Sequence, residues 1–222
     1  MQSTTTQQHW DALHTQPRFR PRYPNEHVVR FLMANFAPEE RTHCRLLDIG
    51  VGGGRHTRLL CELGFQVFGT DISEEGVAQT ERLLRASDLT ATLRQAEMTS
   101  LPFPSETFNG ALSFCVFTYA DHAGMAQAVA ELHRVLRPDG MAFLMLRSDR
   151  DYRCGKGEKI EPGTYRLTIE DTNEFGLVQR FLREEEIPAL FADFQDVHFE
   201  LTETTFDDRR KLNSDWLITV RK

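Results

Sequence analysis

The chain has 222 residues, of which 40% are hydrophobic, and a formal net charge of −7 at pH 7. This length suits one domain with a sizeable core, and the acidic balance argues against a general affinity for nucleic acid. The four cysteines show no C-x-x-C spacing, so we expect a reduced protein that has no structural zinc and binds no other metal.

The amino-terminal stretch carries neither a targeting nor a membrane signal. No apolar run approaches the roughly 20 residues of a membrane span, and residues 1–8 lack the basic start and apolar core of a secretory signal. We therefore expect a cytoplasmic protein with no membrane partner. Residues 1–24 are predicted to form an arm in which Trp10 lies on a short helix, before three prolines forbid a regular one. The arm is either a lid, with Tyr23 or Trp10 touching a ligand, or a solvated wrap.

The centre of the sequence is a predicted buried strand, residues 46–49, that runs into four glycines within five residues. Glycine lets the backbone turn sharply and approach a ligand, and the helix that follows points its free N–H groups into the same space. The dinucleotide fingerprint G-x-G-x-x-G fails here, because Arg55 occupies its last position. The spacing D-x-G-x-G-x-G fits instead, at Asp48, Gly50, Gly52 and Gly54.

This glycine loop resembles that of the class I S-adenosylmethionine-dependent methyltransferases, in particular the small-molecule type similar to the methyltransferase domain of ubiquinone and menaquinone biosynthesis. In that family the acidic start of the motif corresponds to Asp48, and the glycines wrap the methionine part of the cofactor. The resemblance implies S-adenosyl-L-methionine as cofactor. It also implies an α/β, Rossmann-like fold: a seven-stranded, mostly parallel sheet with helices on both faces and an antiparallel last strand, here spanning residues 1–222 as a single domain.

The second predicted strand, residues 66–70, ends at an acid. Asp71 lies 21 residues after Gly50, where doubly wound folds place a carboxylate that accepts hydrogen bonds from both ribose hydroxyls. The alternative is a helix N-cap, but Ser73 can fill that role itself. We therefore assign Asp71, with its neighbour Ile72, to the cofactor site.

Two later segments extend the resemblance. The stretch 97–103 is similar to the family's acid-small-x-x-Leu-Pro-Phe segment, which implies that Glu97 accepts a hydrogen bond from the adenine amino group and that Met98 packs on the ring. A strand over residues 108–116 would place Ser113 and Phe114 near the reactive end of the cofactor. Residues 131–140 resemble the family's entry into the fifth strand.

The end of the chain is predicted as a turn at residues 137–140, a fifth strand over 141–146, a helix over 184–192, and a terminal antiparallel pair of strands, 197–201 and 216–220.

Residues 148–176 form a polar, glycine-containing insertion after the fifth strand, at the edge of the sheet where loops carry specificity. It is either a substrate lid or a solvated insertion. The candidate substrate contacts are Tyr23, Tyr119, Tyr152, Arg153, Lys156 and Tyr165.

Methyl transfer from a sulfonium mainly needs proximity and orientation, and a protonated nucleophile also needs a base. His122 and His56 are the candidate bases, whereas an acidic acceptor would need cations rather than a base. Three functions remain open. The first is a small-molecule methyltransferase, acting on oxygen or nitrogen of an acceptor such as an acidic metabolite. The others are a methyltransferase of RNA or protein, and a nucleotide-binding protein or oxidoreductase that transfers no methyl group.

Overall fold

The structure, a computed structural model, describes residues 2–170 and 172–222, with side chains from Thr6 onward. Its helices are α1 (Gln2–His14), α2 (Glu26–Asn35), α3 (Arg55–Glu62), α4 (Glu74–Arg85), α5 (His122–Val135) and α6 (Ile187–Leu190). Its strands are β1 (Arg45–Ile49), β2 (Gln66–Asp71), β3 (Thr92–Gln95), β4 (Phe108–Phe114), β5 (Leu136–Arg147), β6 (Gly157–Glu161), β7 (Thr164–Leu167), β8 (Val178–Arg180), β9 (Asp196–Phe206) and β10 (Lys211–Arg221).

The main sheet has seven strands in the order β3-β2-β1-β4-β5-β10-β9. β1 pairs in parallel with β2 and β4, whereas β10 runs antiparallel to β5 and β9. The predicted fold class is therefore confirmed, including the antiparallel last strand. The strand order reverses between β1 and β4, and the crevice outside the carboxyl ends of strands at such a switch point is where doubly wound folds bind ligands.

The core lies on both faces of this sheet, because neighbouring strand residues point in opposite directions. Leu46 belongs to an apolar cluster with Leu32 of α2 and Leu60 of α3. Leu47, the next residue, belongs to the cluster on the other face, with Leu132 of α5. A strand buried on both sides explains why β1 has a continuous apolar pattern rather than an alternating one.

Four strands depart from their predicted bounds by more than one residue. β9 extends to Phe206 rather than to residue 201, and β10 begins at Lys211 rather than at residue 216. β4 ends at Phe114, not at residue 116, because Cys115 adopts a φ of 57°, which lies outside the strand region. β5 begins at Leu136 rather than at residue 141, since Leu136 pairs with Phe108 across the sheet. The predicted turn at residues 137–140 is an irregularity within this strand.

The insertion after β5 is structured, whereas the sequence predicted only a polar loop. β6, β7 and β8 form a separate three-stranded antiparallel sheet. Its strands have only three to five residues, and β6 is almost wholly exposed, so no hydrophobic alternation announced them. The backbone N–H of Arg180 donates to the carbonyl of Thr118 at 2.8 Å, which holds this small sheet against the loop after β4.

The predicted helix over 184–192 is shorter in the structure. A 3₁₀ turn over Glu184–Glu186 leads into the four residues of α6, with Pro188 in the first turn. Among the described residues, no helix is both long and apolar enough to cross a membrane.

Asp48 is a charged residue inside β1, and its side chain is buried beneath the glycine loop. It is 1% exposed, and Thr57 Oγ1 donates a hydrogen bond to its Oδ2 at 2.7 Å. Burial raises the pKa of Asp48 to about 7, although the Thr57 hydrogen bond opposes the shift. The folded state therefore holds a proton that the unfolded chain releases near pH 4.

We expect the Asp48→Asn variant to lose part of the pH dependence of stability. Because the folded pKa lies above the unfolded one, the wild-type free energy of unfolding falls as the pH rises from about 4 through about 7, on the order of 2 kcal/mol from this group. Urea denaturation at pH 5 and pH 8 measures the difference. Asp88→Asn, an exposed change, is the control; an identical pH slope in wild type and Asp48→Asn would contradict the expectation.

Candidate functional site

The loop between β1 and α3 is shaped by glycines that no other residue can replace. Gly50, Gly52 and Gly54 have φ angles of 83°, 51° and 84°, a region that side chains rarely adopt. The N–H groups of Gly50 and Val51 both donate to the carbonyl of Thr70, at 2.7 and 3.0 Å. A Cβ added to Gly50 would lie 2.2 Å from Val116 Cγ2. The loop therefore lies tightly against β2 and the segment after β4.

Beside this loop lies a cavity of about 800 Å³ at the carboxyl edge of the parallel strands. That volume is in the upper part of the range of ligand pockets, about 300–1,000 Å³, which leaves room for a nucleotide-sized molecule and a second, smaller one. Seven of the ten predicted cofactor residues line it: Gly50, Gly52, Asp71, Ile72, Glu97, Met98 and Phe114.

Asp71 is positioned by two backbone groups from different elements. The N–H of Gly52 donates to its Oδ2 at 2.8 Å, and the N–H of Ser73, the N-cap of α4, donates to its Oδ1 at 2.9 Å. Its side chain is buried, and burial raises its pKa, while the nearby His14 and these two N–H groups oppose the shift. Each oxygen keeps a further lone pair, so the carboxylate can still accept two O–H donors.

The remaining predicted cofactor residues lie beneath or beside the cavity. Asp48 is buried under the loop, and Gly54 begins α3 as its N-cap. Ser113 is buried in β4, and its Oγ has no hydrogen-bond partner among the described residues. Phe114 is covered by the guanidinium of Arg55, 4.8 Å from the ring centroid.

The two predicted bases lie away from the cavity wall. The His56 ring packs 5.0 Å from Phe114, and its Nε2 accepts the backbone N–H of Asn25 at 3.2 Å. Burial lowers the pKa of His56 to about 3, so this ring is neutral and committed to a structural hydrogen bond. His122 is exposed at the start of α5, where its backbone N–H donates to Glu161. Neither position brings an imidazole to the cavity.

Two other histidines do reach the cavity, both from α1. His9 Nε2 donates to the carbonyl of Asn173 at 2.9 Å. His14 is buried against the glycine loop, where a Cβ on Gly52 would lie 3.7 Å from its Nε2. Burial lowers the pKa of His14, although the neighbouring Asp71 opposes the shift. The sequence predicted a short helix in the arm and left open whether the arm is a lid, but it did not assign His9 or His14 to the site.

The arm, including α1, is fixed over the cavity by contacts with three different parts of the chain. Asp11 Oδ1 accepts Ser73 Oγ–H at 2.7 Å at the start of α4. The Trp10 ring meets Tyr119 edge-on at a centroid distance of 4.8 Å, and Arg18 donates to the side chain of Asn173. The arm and the insertion thus share the wall of the cavity.

The candidate substrate residues are dispersed, and only Tyr119 lines the main cavity. Tyr152 and Arg153 line a smaller cavity of about 260 Å³ between the arm and the insertion. Lys156 lies over the Tyr152 ring at 5.3 Å. Tyr165 lies 6.2 Å from the Phe181 ring.

Tyr23 is 71% exposed and carries the Arg22 guanidinium over its ring. It therefore lies on the outer surface of the arm.

Arg153 is a buried structural cation. Its guanidinium donates to both carboxylate oxygens of Asp151, at 2.7 and 2.8 Å, and to Glu174 Oε2 at 2.9 Å. Burial by itself would raise the pKa of Glu174, but Arg153 and Arg147 outweigh it and hold that pKa below its usual range. Glu174 in turn accepts the Tyr119 phenol O–H at 2.7 Å. The charge of Arg153 is therefore neutralised within the protein.

Comparison with known proteins agrees with this architecture. A family model described as a methyltransferase domain matches residues 47–144. A malonyl-[acyl-carrier protein] O-methyltransferase of Enterobacter lignolyticus is 32% identical over 110 residues, which cover 49% of this chain and 41% of the relative. A ubiquinone biosynthesis O-methyltransferase of Agrobacterium fabrum is 26% identical over 123 residues, covering 53% and 48%. The chain thus spans less than half the length of these curated relatives.

Solved structures match over more of the chain. An S-adenosylmethionine-dependent methyltransferase of Methanosarcina mazei superposes with a TM-score of 0.67 at 23% identity, covering 81% of this chain and 92% of that one. A [4+2]-cyclase superposes with a TM-score of 0.61 at 18% identity, covering 87% and 80%. At these identities the likeness shows the fold alone.

Residues 47–144, which include the glycine loop and strands β2 to β4, thus resemble a methyltransferase domain of the class I S-adenosylmethionine-dependent kind.

Because Gly50 lies close to Val116, we expect alanine to destabilise the protein more at Gly50 than at Gly155. Gly155 has a similar φ of 80° but nothing within 4 Å of an added Cβ, so Gly155→Ala reports the backbone strain alone. We expect Gly155→Ala to lower the free energy of unfolding by about 1 kcal/mol, and Gly50→Ala by about 3 kcal/mol because overpacking adds to it. Urea denaturation measures both, and equal losses would contradict the argument.

Val116→Ala provides a further check on that clash. Combined with Gly50→Ala, it removes the methyl group that the new Cβ would meet. We expect the double variant to be more stable than the sum of the two single losses implies.

Proposed function

We propose that this chain transfers a methyl group from S-adenosyl-L-methionine to a small-molecule acceptor. The observation that carries the proposal is Asp71, a buried carboxylate on the wall of an 800 Å³ cavity, between the glycine loop and Glu97. A carboxylate with spare lone pairs beside a glycine loop suits a ribose diol. The cavity volume supports a second ligand beside the cofactor.

The residues present fit this cofactor, and each part of it has a candidate partner. Gly50 and Gly52 allow the backbone to approach the methionine part, since a side chain at Gly50 would overlap Val116. Asp71 would accept the ribose hydroxyls. Glu97 and Met98, both on the cavity wall, would meet the adenine.

When bound, the cofactor supplies an electrophilic methyl group on a sulfonium. The chain itself has to orient the acceptor and exclude water. α1 and the insertion contribute to excluding water, because Trp10 and Phe175 line the cavity and the Trp10 ring packs against Tyr119. Cys115 and Val116 follow β4 directly and form part of the wall beside the glycine loop.

The histidines that line the cavity, and that could act as a general base, are His9 and His14 of α1. His56 and His122 do not line it. Burial lowers the pKa of His14, which favours the neutral imidazole, whereas the neighbouring Asp71 favours the charged form. An acidic acceptor, considered from the sequence, would need no base. It would find one arginine, Arg166, on the cavity wall.

Two alternative functions have weaker support. A methyltransferase of RNA or protein would need an open, complementary surface, whereas this cavity lies partly beneath α1. A nucleotide-binding protein or oxidoreductase without methyl transfer is compatible with the fold, as the cyclase with the same architecture illustrates. The failed G-x-G-x-x-G pattern argues against a nicotinamide cofactor. A cytoplasmic location and the absence of a nucleic-acid partner remain predictions.

We expect S-adenosylmethionine and S-adenosylhomocysteine to raise the melting temperature of the protein, and NADH to leave it unchanged, because a ligand that binds only the folded state stabilises it by mass action. Asp71→Asn should weaken S-adenosylhomocysteine binding by about 100-fold or more, since the amide lacks the negative charge and replaces one of the two accepting oxygens by an NH2 donor. Calorimetric titration measures the affinity, and circular dichroism checks that the variant is folded.

Asp88→Asn, at an exposed site far from the cavity, is the matched control and should bind as tightly as wild type. Undiminished binding by a folded Asp71→Asn variant would overturn the assignment of the site.

A further inference from the structure

The part of the cavity away from the glycine loop has an unusual composition. We call it the acceptor end. It is formed by the segment after β4, by the insertion and by α1, and its apolar residues are Trp10, Ala120, Ile160, Phe175, Leu177 and Val178. Its chemistry bears on the class of molecule that the proposed methyl transfer acts upon.

The polar side chains at the acceptor end are already engaged with the protein. Tyr119 donates its phenol O–H to Glu174 at 2.7 Å, and His9 donates to the carbonyl of Asn173 at 2.9 Å. Asp121 accepts the N–H of Gly124 at 2.8 Å as the N-cap of α5. These groups have partners before any ligand arrives, so the ligand meets chiefly carbon surface.

The one arginine on this wall is also engaged. Arg166 donates to the carbonyl of Gly176 at 3.2 Å, and its Nε lies 3.6 Å from Glu158. The thiol of Cys115 adds no charge, because burial raises its pKa to about 11. A small anion would therefore gain a cation only by competing with Glu158.

The rim of the acceptor end leaves apolar side chains in water. Among the residues that the structure describes, five large hydrophobic side chains are exposed, and two of them, Ile160 at 42% and Phe175 at 49%, line this cavity. The other three lie elsewhere, on the arm, α2 and β9. Apolar surface at the mouth of an enclosed, mostly apolar cavity favours a ligand that covers it.

We propose that the acceptor is a small molecule with an apolar body, an alkyl or aryl group that packs between Ile160 and Phe175, and with the methylated heteroatom as its single polar end. This inference rests on the proposed function, since it takes the glycine-loop end of the cavity for the cofactor. Such an acceptor differs from the acidic metabolite considered from the sequence, because its affinity would come from the burial of apolar surface rather than from charge.

The test is a series of 4-alkylphenols, from phenol to 4-butylphenol, titrated into the protein saturated with S-adenosylhomocysteine. Affinity should rise by about threefold for each added methylene that is buried. 4-Hydroxybenzoate, a similarly sized anion, should bind more weakly than 4-ethylphenol. A flat response across the series, or tighter binding of 4-hydroxybenzoate, would overturn the proposal.

Serine variants of the exposed apolar residues test where the phenols bind. Phe175→Ser and Ile160→Ser should each weaken 4-butylphenol by about fivefold and reduce the gain per methylene, with no change in S-adenosylhomocysteine affinity. Phe206→Ser is the matched control, because Phe206 is exposed on β9 and packs against Tyr152 outside the main cavity. Equal effects of Phe175→Ser and Phe206→Ser would place the phenols elsewhere and refute the inference.

The same titrations separate the two proposals. If the wild-type protein does not bind S-adenosylhomocysteine, both the proposed function and the inference that rests on it are refuted. Binding of S-adenosylhomocysteine without the methylene trend would refute the apolar acceptor alone.

Discussion

The structure around the cavity depends on the carboxylate of Asp71. One oxygen accepts the N–H of Gly52 and the other accepts the N–H of Ser73, so a single side chain ties the loop after β1 to the start of α4. α1 also contacts this region, because Asp11 accepts a hydrogen bond from Ser73 and His14 lies over the glycine loop. Three segments that are far apart in the sequence thus meet at one buried carboxylate. Leaving this carboxylate without hydrogen-bond partners would cost free energy, because it is buried.

The cavity has two halves of different origin. The half beside the glycine loop is built almost wholly from residues inside the matched region, 47–144. The acceptor end takes Trp10 from the arm and Ile160 and Phe175 from the insertion, which lie outside that region. The match to the family therefore bears on the cofactor, whereas the acceptor chemistry depends on this chain's own side chains.

Much of the cofactor half could be predicted from the sequence. Asp71 follows a strand at a fixed distance from the glycines, and parallel strands bring their carboxyl ends to one edge, so Gly50, Asp71 and Glu97 were expected together. They do share one cavity. The candidate bases were chosen because they follow the glycine loop and β4 in sequence, but His56 turns into the α2 side of the sheet and His122 faces outward.

The substrate residues were harder to predict for a physical reason. Arg153 and Lys156 were chosen for their charge, yet a buried cation needs a partner, and Arg153 finds Asp151 and Glu174 inside the protein. Local sequence does not reveal such pairing, because Glu174 lies 21 residues away in the chain.

The sequence by itself determined the strand-and-glycine framework and the acid at the end of β2. These follow from local patterns of period, turn chemistry and spacing among neighbouring residues. The seven-stranded fold class and the role of Glu97 after β3 were implied by the resemblance to the methyltransferase family. Only the tertiary structure decided that α1 covers the cavity, that the insertion forms a small sheet, and that Ile160 and Phe175 border the acceptor end. Those outcomes depend on contacts between distant segments, for which short polar strands and an arm of mixed composition leave no periodic signal.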